Sequence, residues 1–195
     1  MDAVTTVAGS SGGIRPAVFV DRDGTLNPDL HYLADANRLE LFRDVPAGIR
    51  LLNQHGFAVV CVTNQSGIER GLYSEEDVER IHRRVVERLA RHGGRIDAFY
   101  YCPHAPEHGC PCRKPKTELF LRAARERHLE LSASAMIGDR VYDVLAGERL
   151  GLLTAVVRHP GHAATVDAEL RAQQVDADIH ADGFLGAVRR ILARG

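Results

Sequence analysis

Short apolar runs alternate with helix-length amphipathic segments along this chain, and this alternation restricts its possible folds more than any other feature. The runs typical of buried strands are AVFVD (17–21), FAVVCVTN (57–64), AFYYC (98–102), SAMIGD (134–139), LTAVVR (153–158) and ADIHAD (177–182). Helical patterns lie between or after them, at 45–56, 74–94, 117–128, 141–150 and 184–193. The pattern predicts an α/β, Rossmann-like fold, with a parallel sheet covered by helices on both faces.

The length of 195 residues suits one domain, which we place at residues 16–195. Residues 1–15 are rich in small residues and glycine and do not resemble a secretory signal, so we expect a flexible N-terminal tail. The formal net charge of -1 argues against nucleic acid as a partner. No apolar run approaches the ~20 residues of a membrane span. We expect a monomer whose partner is a small molecule.

Polar side chains follow the predicted strands at the points where those strands end. Asp21, Asp23 and Gly24 follow the first strand, and Thr63 and Asn64 end the second. Further along the chain come Lys114, Asp139 and Asp143. In parallel sheets, ligands bind outside the carboxyl ends of the strands, so we expect these groups to share one edge. Each taken alone is typical of a turn, a loop or a helix cap, and only the whole ordered set points to a site.

This set of groups suits chemistry on a phosphate ester. Asp21 and Asp139 are hard oxygen donors suited to Mg²⁺, and Lys114 can offset phosphoryl charge. Thr63 and Asn64 can donate hydrogen bonds to phosphoryl oxygens. One carboxylate can attack phosphorus, and a second, two residues on, can protonate the leaving oxygen and then activate water. Gly24 would permit the sharp turn that brings both carboxylates to one substrate.

Three of the four cysteines, Cys102, Cys110 and Cys112, lie close together with histidine among them. Cys61 stands apart, inside a predicted strand. In a reducing, cytoplasmic compartment, which we expect here, such a cluster favours a metal over a disulfide. Unpaired surface thiols are the alternative.

With DRDGT, TNQSG, RKP and GDRVYD in this order, the chain resembles the haloacid dehalogenase (HAD) superfamily of phosphohydrolases over about residues 17–160. The resemblance implies that Asp21 is the nucleophile and a Mg²⁺ ligand. Asp23 would be the general acid and base, lending its backbone carbonyl to the metal. Thr63 and Lys114 would stabilise the phosphoryl group. Asp139 would complete the magnesium site, with Asp143 in support.

Within the superfamily, CPHAPEHGCPCRKP resembles the zinc-loop branch, which contains heptose bisphosphate and histidinol-phosphate phosphatases. The resemblance implies a structural zinc ion in the loop at 102–112, with the ligands Cys102, His104, Cys110 and Cys112. His108 is a rival to His104. A closed set of three cysteines and one histidine suits tetrahedral Zn²⁺ and leaves no open position for catalysis. Zinc would therefore hold Arg113 and Lys114 in place.

The gaps between the motifs leave no room for a cap domain, so we expect an open site lined by loops. Arg113, Arg140, Asn64 and the loop residues Asp29 and Tyr32 are the candidate substrate-binding residues, beside Thr63 and Lys114. We favour removal of the 7-phosphate from D-glycero-D-manno-heptose 1,7-bisphosphate. Histidinol phosphate is the second candidate and another small sugar phosphate the third. A different class, a zinc-loop binding module on an inactive phosphatase fold, stays open.

Overall fold

The structure, a computed structural model, describes residues 4–6, 13–159 and 162–194. The strands are β1 (Val4–Thr6), β2 (Arg15–Val20), β3 (Ala58–Asn64), β4 (Ala98–Cys102), β5 (Leu129–Gly138), β6 (Leu153–Val157) and β7 (Ile179–Ala181). The helices are α1 (Val45–Gln54), α2 (Glu75–Ala90), α3 (Glu118–Arg127), α4 (Val141–Arg149), α5 (Ala163–Gln173) and α6 (Phe184–Leu192). Short 3-10 turns occur at Ala36–Arg38 and Pro106–His108.

The strands form a single sheet in the order β1-β4-β3-β2-β5-β6-β7. Strands β2 to β7 pair in parallel, and β1 pairs antiparallel with β4 at one edge. The predicted parallel α/β sheet is therefore confirmed. The order runs outward in both directions from β2, so the chain after β2 lies at the point where the strand order reverses. Open α/β sheets bind their ligands at such a point.

Helices cover both faces of the sheet, as the alternating pattern predicts. On one face, apolar side chains of α1, α2 and α6 pack on the strands, among them Ile49, Val85 and Phe184. On the other face the contacts come from α3 and α4, through residues such as Phe120 and Ala146. Burying one such large apolar side chain contributes about 1.5–3 kcal/mol, so both helix layers stabilise the sheet.

Helix α2 begins with a capping box formed by Ser74 and Asp77. Ser74 Oγ accepts a hydrogen bond from the Asp77 amide, and the Asp77 carboxylate accepts one from the Ser74 amide. Thr117 occupies the position before α3, yet its side chain makes no capping hydrogen bond.

Two elements lie outside the predicted set. Strand β1 falls within the predicted tail, and its Val4–Thr6 backbone pairs with Ala98–Tyr100. The other tail residues before Gly13 lie outside the described residues, so their flexibility stays a prediction. Helix α5 is absent from the helices predicted from sequence. It buries only Val166 and Leu170, so its apolar residues form a weak amphipathic pattern. Within the described ranges, no helix has both the length and the apolar character needed to span a bilayer.

Candidate active site

A tight turn after β2 carries the first motif to the carboxyl edge of the sheet. The amide of Gly24 donates to the Asn27 carbonyl at 2.7 Å, and the Leu26 amide donates to the Arg22 carbonyl at 2.8 Å. Gly24 has a φ of 87°, and a Cβ there would lie 2.1 Å from an oxygen of Asp139. Glycine is therefore required both by the backbone conformation and by the approach of a carboxylate from the end of β5.

Lys114 lies between the carboxylates of Asp21 and Asp143, which are far apart in the sequence. Its Nζ is 2.7 Å from Asp21 Oδ1 and 2.7 Å from Asp143 Oδ1, and it donates to the Val62 carbonyl at 2.7 Å. Only 4% of the lysine is exposed. Burial acts to lower its pKa, but the charges of Asp143 and Asp21 outweigh burial and raise it. The ammonium group therefore stays charged.

Asp139 adds a third buried carboxylate next to this pair. Oxygens of Asp21, Asp139 and Asp143 all lie within 4.8 Å of one another. Thr25 Oγ1 donates to Asp139 at 3.0 Å, and His162 Nε2 lies 3.4 Å from its other oxygen.

The three carboxylates strongly repel one another in a buried setting. Burial, with Asp143 and Asp23 adding to it against the opposing Lys114, raises the pKa of Asp21 to about 6. Burial and then the charges of Asp21 and Asp143 raise the pKa of Asp139 well above its usual range. One lysine cannot balance three carboxylates. A cluster of hard oxygen donors with this excess charge fits a divalent cation such as Mg²⁺.

Asp23 lies outside this cluster and has its own set of donors. Arg22, which is completely buried, contacts Asp23 Oδ2 at 2.7 Å, Asn27 Nδ2 donates to Oδ1 at 3.0 Å, and Gln65 Nε2 donates to Oδ2 at 2.9 Å. Burial acts to raise the Asp23 pKa, but Arg22 and these hydrogen bonds lower it. Arg22 and Gln65 were absent from the residues predicted from sequence.

The end of β3 contributes Thr63 and Asn64, as predicted, but in different ways. Thr63 Oγ1 accepts a hydrogen bond from Gln65 Nε2 at 2.9 Å. Asn64 Oδ1 accepts from the Lys114 amide at 3.0 Å, and its Nδ2 donates to the Lys114 carbonyl at 3.3 Å. Asn64 thus holds the backbone of the lysine that lies between the acids.

These groups surround a cavity of about 290 Å³. The sequence-predicted residues that line it are Asp21, Asp23, Asp29, Tyr32, Thr63, Asn64, Arg113, Lys114, Arg140 and Asp143. Its lining also includes His31, Tyr73 and Tyr142, which the sequence did not single out. Asp139 lines a neighbouring cavity of about 320 Å³ instead, together with His159 and His162.

Three residues at the mouth of the cavity, Tyr32, Arg113 and Arg140, differ in their contacts. Tyr32 is 47% exposed, and its ring lies 6.4 Å from that of Tyr73. Arg140 pairs with Glu169 at 3.1 Å, and Arg113 donates to the His104 carbonyl at 3.1 Å. Arg113 is therefore attached directly to the cysteine-rich loop.

In that loop, three sulphur atoms and one imidazole nitrogen converge. The sulphur of Cys112 lies 3.1 Å from that of Cys102 and 3.4 Å from that of Cys110, and His104 Nδ1 lies 3.3 Å from it. No disulfide joins the cysteines, which are all free and buried. A tetrahedron with Zn–S bonds of about 2.3 Å has edges of about 3.8 Å, and the observed spacings are a few tenths of an ångström shorter. The four converging donors, three sulphurs and one imidazole nitrogen, are a set that fits Zn²⁺.

His108 lies beside this cluster but faces another partner. Its ring stacks on that of His104 with centroids 4.2 Å apart, while its Nδ1 lies 2.7 Å from Glu69 Oε1. The structure therefore brings His104, and not His108, together with the three sulphurs.

Comparison with known proteins agrees with this geometry. A family model described as HAD-hydrolase-like matches residues 111–184. The D-glycero-β-D-manno-heptose-1,7-bisphosphate 7-phosphatase of Haemophilus ducreyi is 37% identical over 168 residues, which cover 83% of this chain and 92% of the relative. The enzyme of the same name from Escherichia coli O6:H1 is 38% identical over 167 residues, covering 82% of this chain and 88% of the relative.

Among solved structures, the D,D-heptose 1,7-bisphosphate phosphatase from B. bronchiseptica, complexed with magnesium and phosphate, superposes with a TM-score of 0.81. It is 27% identical, and the match covers 92% of this chain and 99% of that one. These relatives are phosphatases, so the prediction that the chain is an enzyme is confirmed. They do not support the alternative of an inactive binding module. The chain belongs to the HAD superfamily of phosphate-ester hydrolases, in the same family as the heptose-1,7-bisphosphate 7-phosphatases that it matches.

Proposed function

We propose that this phosphatase removes the 7-phosphate of D-glycero-β-D-manno-heptose 1,7-bisphosphate through an aspartyl-phosphate on Asp21, with Mg²⁺ bound. The observation that carries the proposal is the convergence of Asp21, Asp139 and Asp143, whose oxygens lie within 4.8 Å of one another, with Lys114 held between Asp21 and Asp143. The names of the relatives support the choice of substrate.

Asp21, Asp139 and the backbone carbonyl of Asp23 would hold Mg²⁺, with Asp143 in support. When bound, the ion supplies positive charge that offsets the phosphoryl group and makes the buried acids ionise. Lys114 and Thr63 add a charge and a hydrogen-bond donor at the phosphoryl oxygens. Lys114 can do so without moving far, because its Nζ already lies 2.7 Å from Asp21 Oδ1.

The carboxylate oxygen of Asp21 attacks phosphorus, the ester P–O bond breaks, and the leaving alkoxide takes a proton from Asp23. Asp23 then accepts a proton from a water molecule, which attacks the aspartyl-phosphate and releases inorganic phosphate. In the free site Arg22 keeps Asp23 ionised, which suits its role as base. The negative phosphate ester would raise the Asp23 pKa and favour its role as acid.

The mouth of the cavity carries the groups that would select the substrate. Arg113 and Arg140 offer positive charge for the second phosphate, and Asp29 and Tyr32 offer hydrogen bonds to sugar hydroxyls. No folded cap covers this mouth in the described ranges, so discrimination would rest on these few side chains.

A substrate panel with purified protein tests this choice. We expect kcat/KM for D-glycero-β-D-manno-heptose 1,7-bisphosphate to exceed that for histidinol phosphate at least about tenfold, since only the bisphosphate can engage both arginines. Phosphate release would be measured with Mg²⁺ and again with a chelator. Faster hydrolysis of histidinol phosphate would replace the heptose assignment.

We propose a structural zinc ion bound by Cys102, His104, Cys110 and Cys112. Four protein ligands would leave the ion no open position, so it would act by fixing the loop. The next residues after Cys112 are Arg113 and Lys114, and the fixed loop would therefore fix both side chains. We also propose a monomeric, cytoplasmic enzyme, with a small phosphorylated sugar as its partner.

Two histidine variants test the ligand assignment. His104→Ala should lose most of its bound zinc, because Nδ1 of His104 lies 3.3 Å from the sulphur of Cys112. His108→Ala should keep its zinc, because His108 contacts Glu69 instead. The metal content of each purified variant is the measurement. Zinc loss from the His108 variant alone would contradict the assignment.

A further inference from the structure

A second polar cavity lies against α1 and the end of α2, away from the catalytic acids. It measures about 440 Å³ and is bordered by four arginines, Arg43, Arg50, Arg88 and Arg91, with His92 beside them. Its lining contains no acidic residue and shares none with the catalytic cavity, while Phe42 also borders the cavity lined by Asp139. We call it the basic groove, defined by these four arginines.

The arginines of the basic groove have no anionic partner among the described residues. Within the part of the chain that the structure describes, none of the four forms an ion pair or a side-chain hydrogen bond. Other arginines of the same helix α2 do pair, with acids three or four residues away: Arg80, Arg83 and Arg84. The Nε of Arg88 is shielded from solvent and has no partner. Four positive charges around one cavity, with no acid in its lining, give it a positive potential that favours an anion.

The start of α1 adds a further positive element to the same groove. Pro46 and Ala47, in the first turn of α1, line the cavity. No acidic residue lies in that turn, and the N-cap Asp44 makes no capping hydrogen bond. Asp44 instead accepts a hydrogen bond from the Leu185 amide at 2.9 Å. No carboxylate therefore hydrogen-bonds the free amides at the start of α1, and the helix dipole adds positive potential to the groove.

We propose that the basic groove binds a compact polyanion that carries two or more phosphate groups, at a site separate from the catalytic cavity. Several guanidinium groups can each form paired hydrogen bonds with phosphate oxygens. A volume of about 440 Å³ falls in the range of small-molecule sites and exceeds what one phosphate needs. The overall formal charge of -1 means that general electrostatic attraction would not produce this binding.

Calorimetric titration with inorganic tripolyphosphate in the presence of EDTA tests the groove apart from the active site. The catalytic cavity also carries Arg113 and Arg140, so variants of the groove arginines, and not the probe alone, separate the two sites. We expect one binding event, weakened at least about tenfold in the double variant Arg88→Gln/Arg91→Gln. A second double variant on the opposite wall, Arg43→Gln/Arg50→Gln, should give a similar loss.

The matched control is Arg171→Gln/Arg189→Gln, which removes the same charge from two exposed arginines elsewhere on the molecule. Its affinity for tripolyphosphate should change less than about twofold. Equal weakening in control and groove variants, or absence of tripolyphosphate binding to the unchanged protein, would refute the site. Binding to phosphatidylglycerol vesicles without binding to tripolyphosphate would also refute it, since the anion would then be a membrane surface.

Discussion

Replacing Asp21 with asparagine should reduce phosphatase turnover at least about 1,000-fold while the fold survives. The amide cannot form the acyl-phosphate bond, although it has nearly the shape of the carboxylate. Asp21 borders the catalytic cavity and lies 2.7 Å from Lys114 Nζ, directly after β2. The measurement is phosphate release from the heptose bisphosphate with saturating Mg²⁺.

The same variant should gain thermal stability when metal is chelated. Burial raises the Asp21 pKa from 3.8 to about 6, so the folded protein holds this proton more tightly than the unfolded chain. The contribution of Asp21 to stability therefore falls as pH rises from about 4 to about 6 and stays low above that. Asparagine removes this loss, and the melting temperature in EDTA at neutral pH should rise by roughly 5 °C.

Asp182→Asn serves as the control, because its side chain is 94% exposed and lies outside both cavities. It should change neither turnover nor melting temperature. An Asp21→Asn protein that is folded and keeps more than about a tenth of its turnover would exclude Asp21 as nucleophile. An inactive variant that is also less stable would show that Asp21 acts mainly through packing.

The gathering of the acids could be predicted from sequence because parallel strands have a simple geometry. Asp21, Thr63 and Asp139 each follow a run of buried residues, and the carboxyl ends of such runs lie at one edge of a sheet. Local pattern therefore predicts which residues meet, even though they are far apart in the chain. This prediction, that the residues lie at one edge of the sheet, does not depend on their side-chain rotamers.

The network around Asp23 could not be predicted in this way. Arginine is almost never fully buried unless paired, so Arg22 has the sequence signature of a surface residue. Its burial depends on Gln65, which accepts from it at 2.9 Å, and on His82 at 3.3 Å, both distant in sequence. The position of Lys114 between Asp21 and Asp143 is likewise a product of tertiary packing and has no local signal.

The two missed elements have weak local signals for related reasons. Strand β1 is only three residues long and acquires its conformation by pairing with β4. Helix α5 packs on α4 through very few apolar residues, so an apolar period is hard to recognise in its sequence. In both elements, contact with a neighbouring element contributes more to stability than the intrinsic helix or strand propensity of the segment.

Changing Cys112 to serine should remove the proposed zinc ion, lower the melting temperature by at least about 10 °C, and reduce turnover about tenfold or more. Cys112 is the central donor of the cluster, because its sulphur lies within 3.4 Å of Cys102, Cys110 and His104. Without the metal, the remaining cysteines and His104 have no ion to bind in common, and the two ends of the loop are no longer joined. Zinc analysis, thermal melting and phosphate release would be measured on one preparation.

The loss of turnover should come through Lys114, which lies two residues after Cys112 and places its Nζ 2.7 Å from Asp21. Cys61→Ser is the matched control, since Cys61 is buried in β3 outside the cluster. It should keep its zinc, and any loss of stability should leave the turnover of the folded protein unchanged. Full turnover in a zinc-free but folded Cys112→Ser protein would show that the loop does not position Lys114, because Asn64 alone would then suffice to hold its backbone.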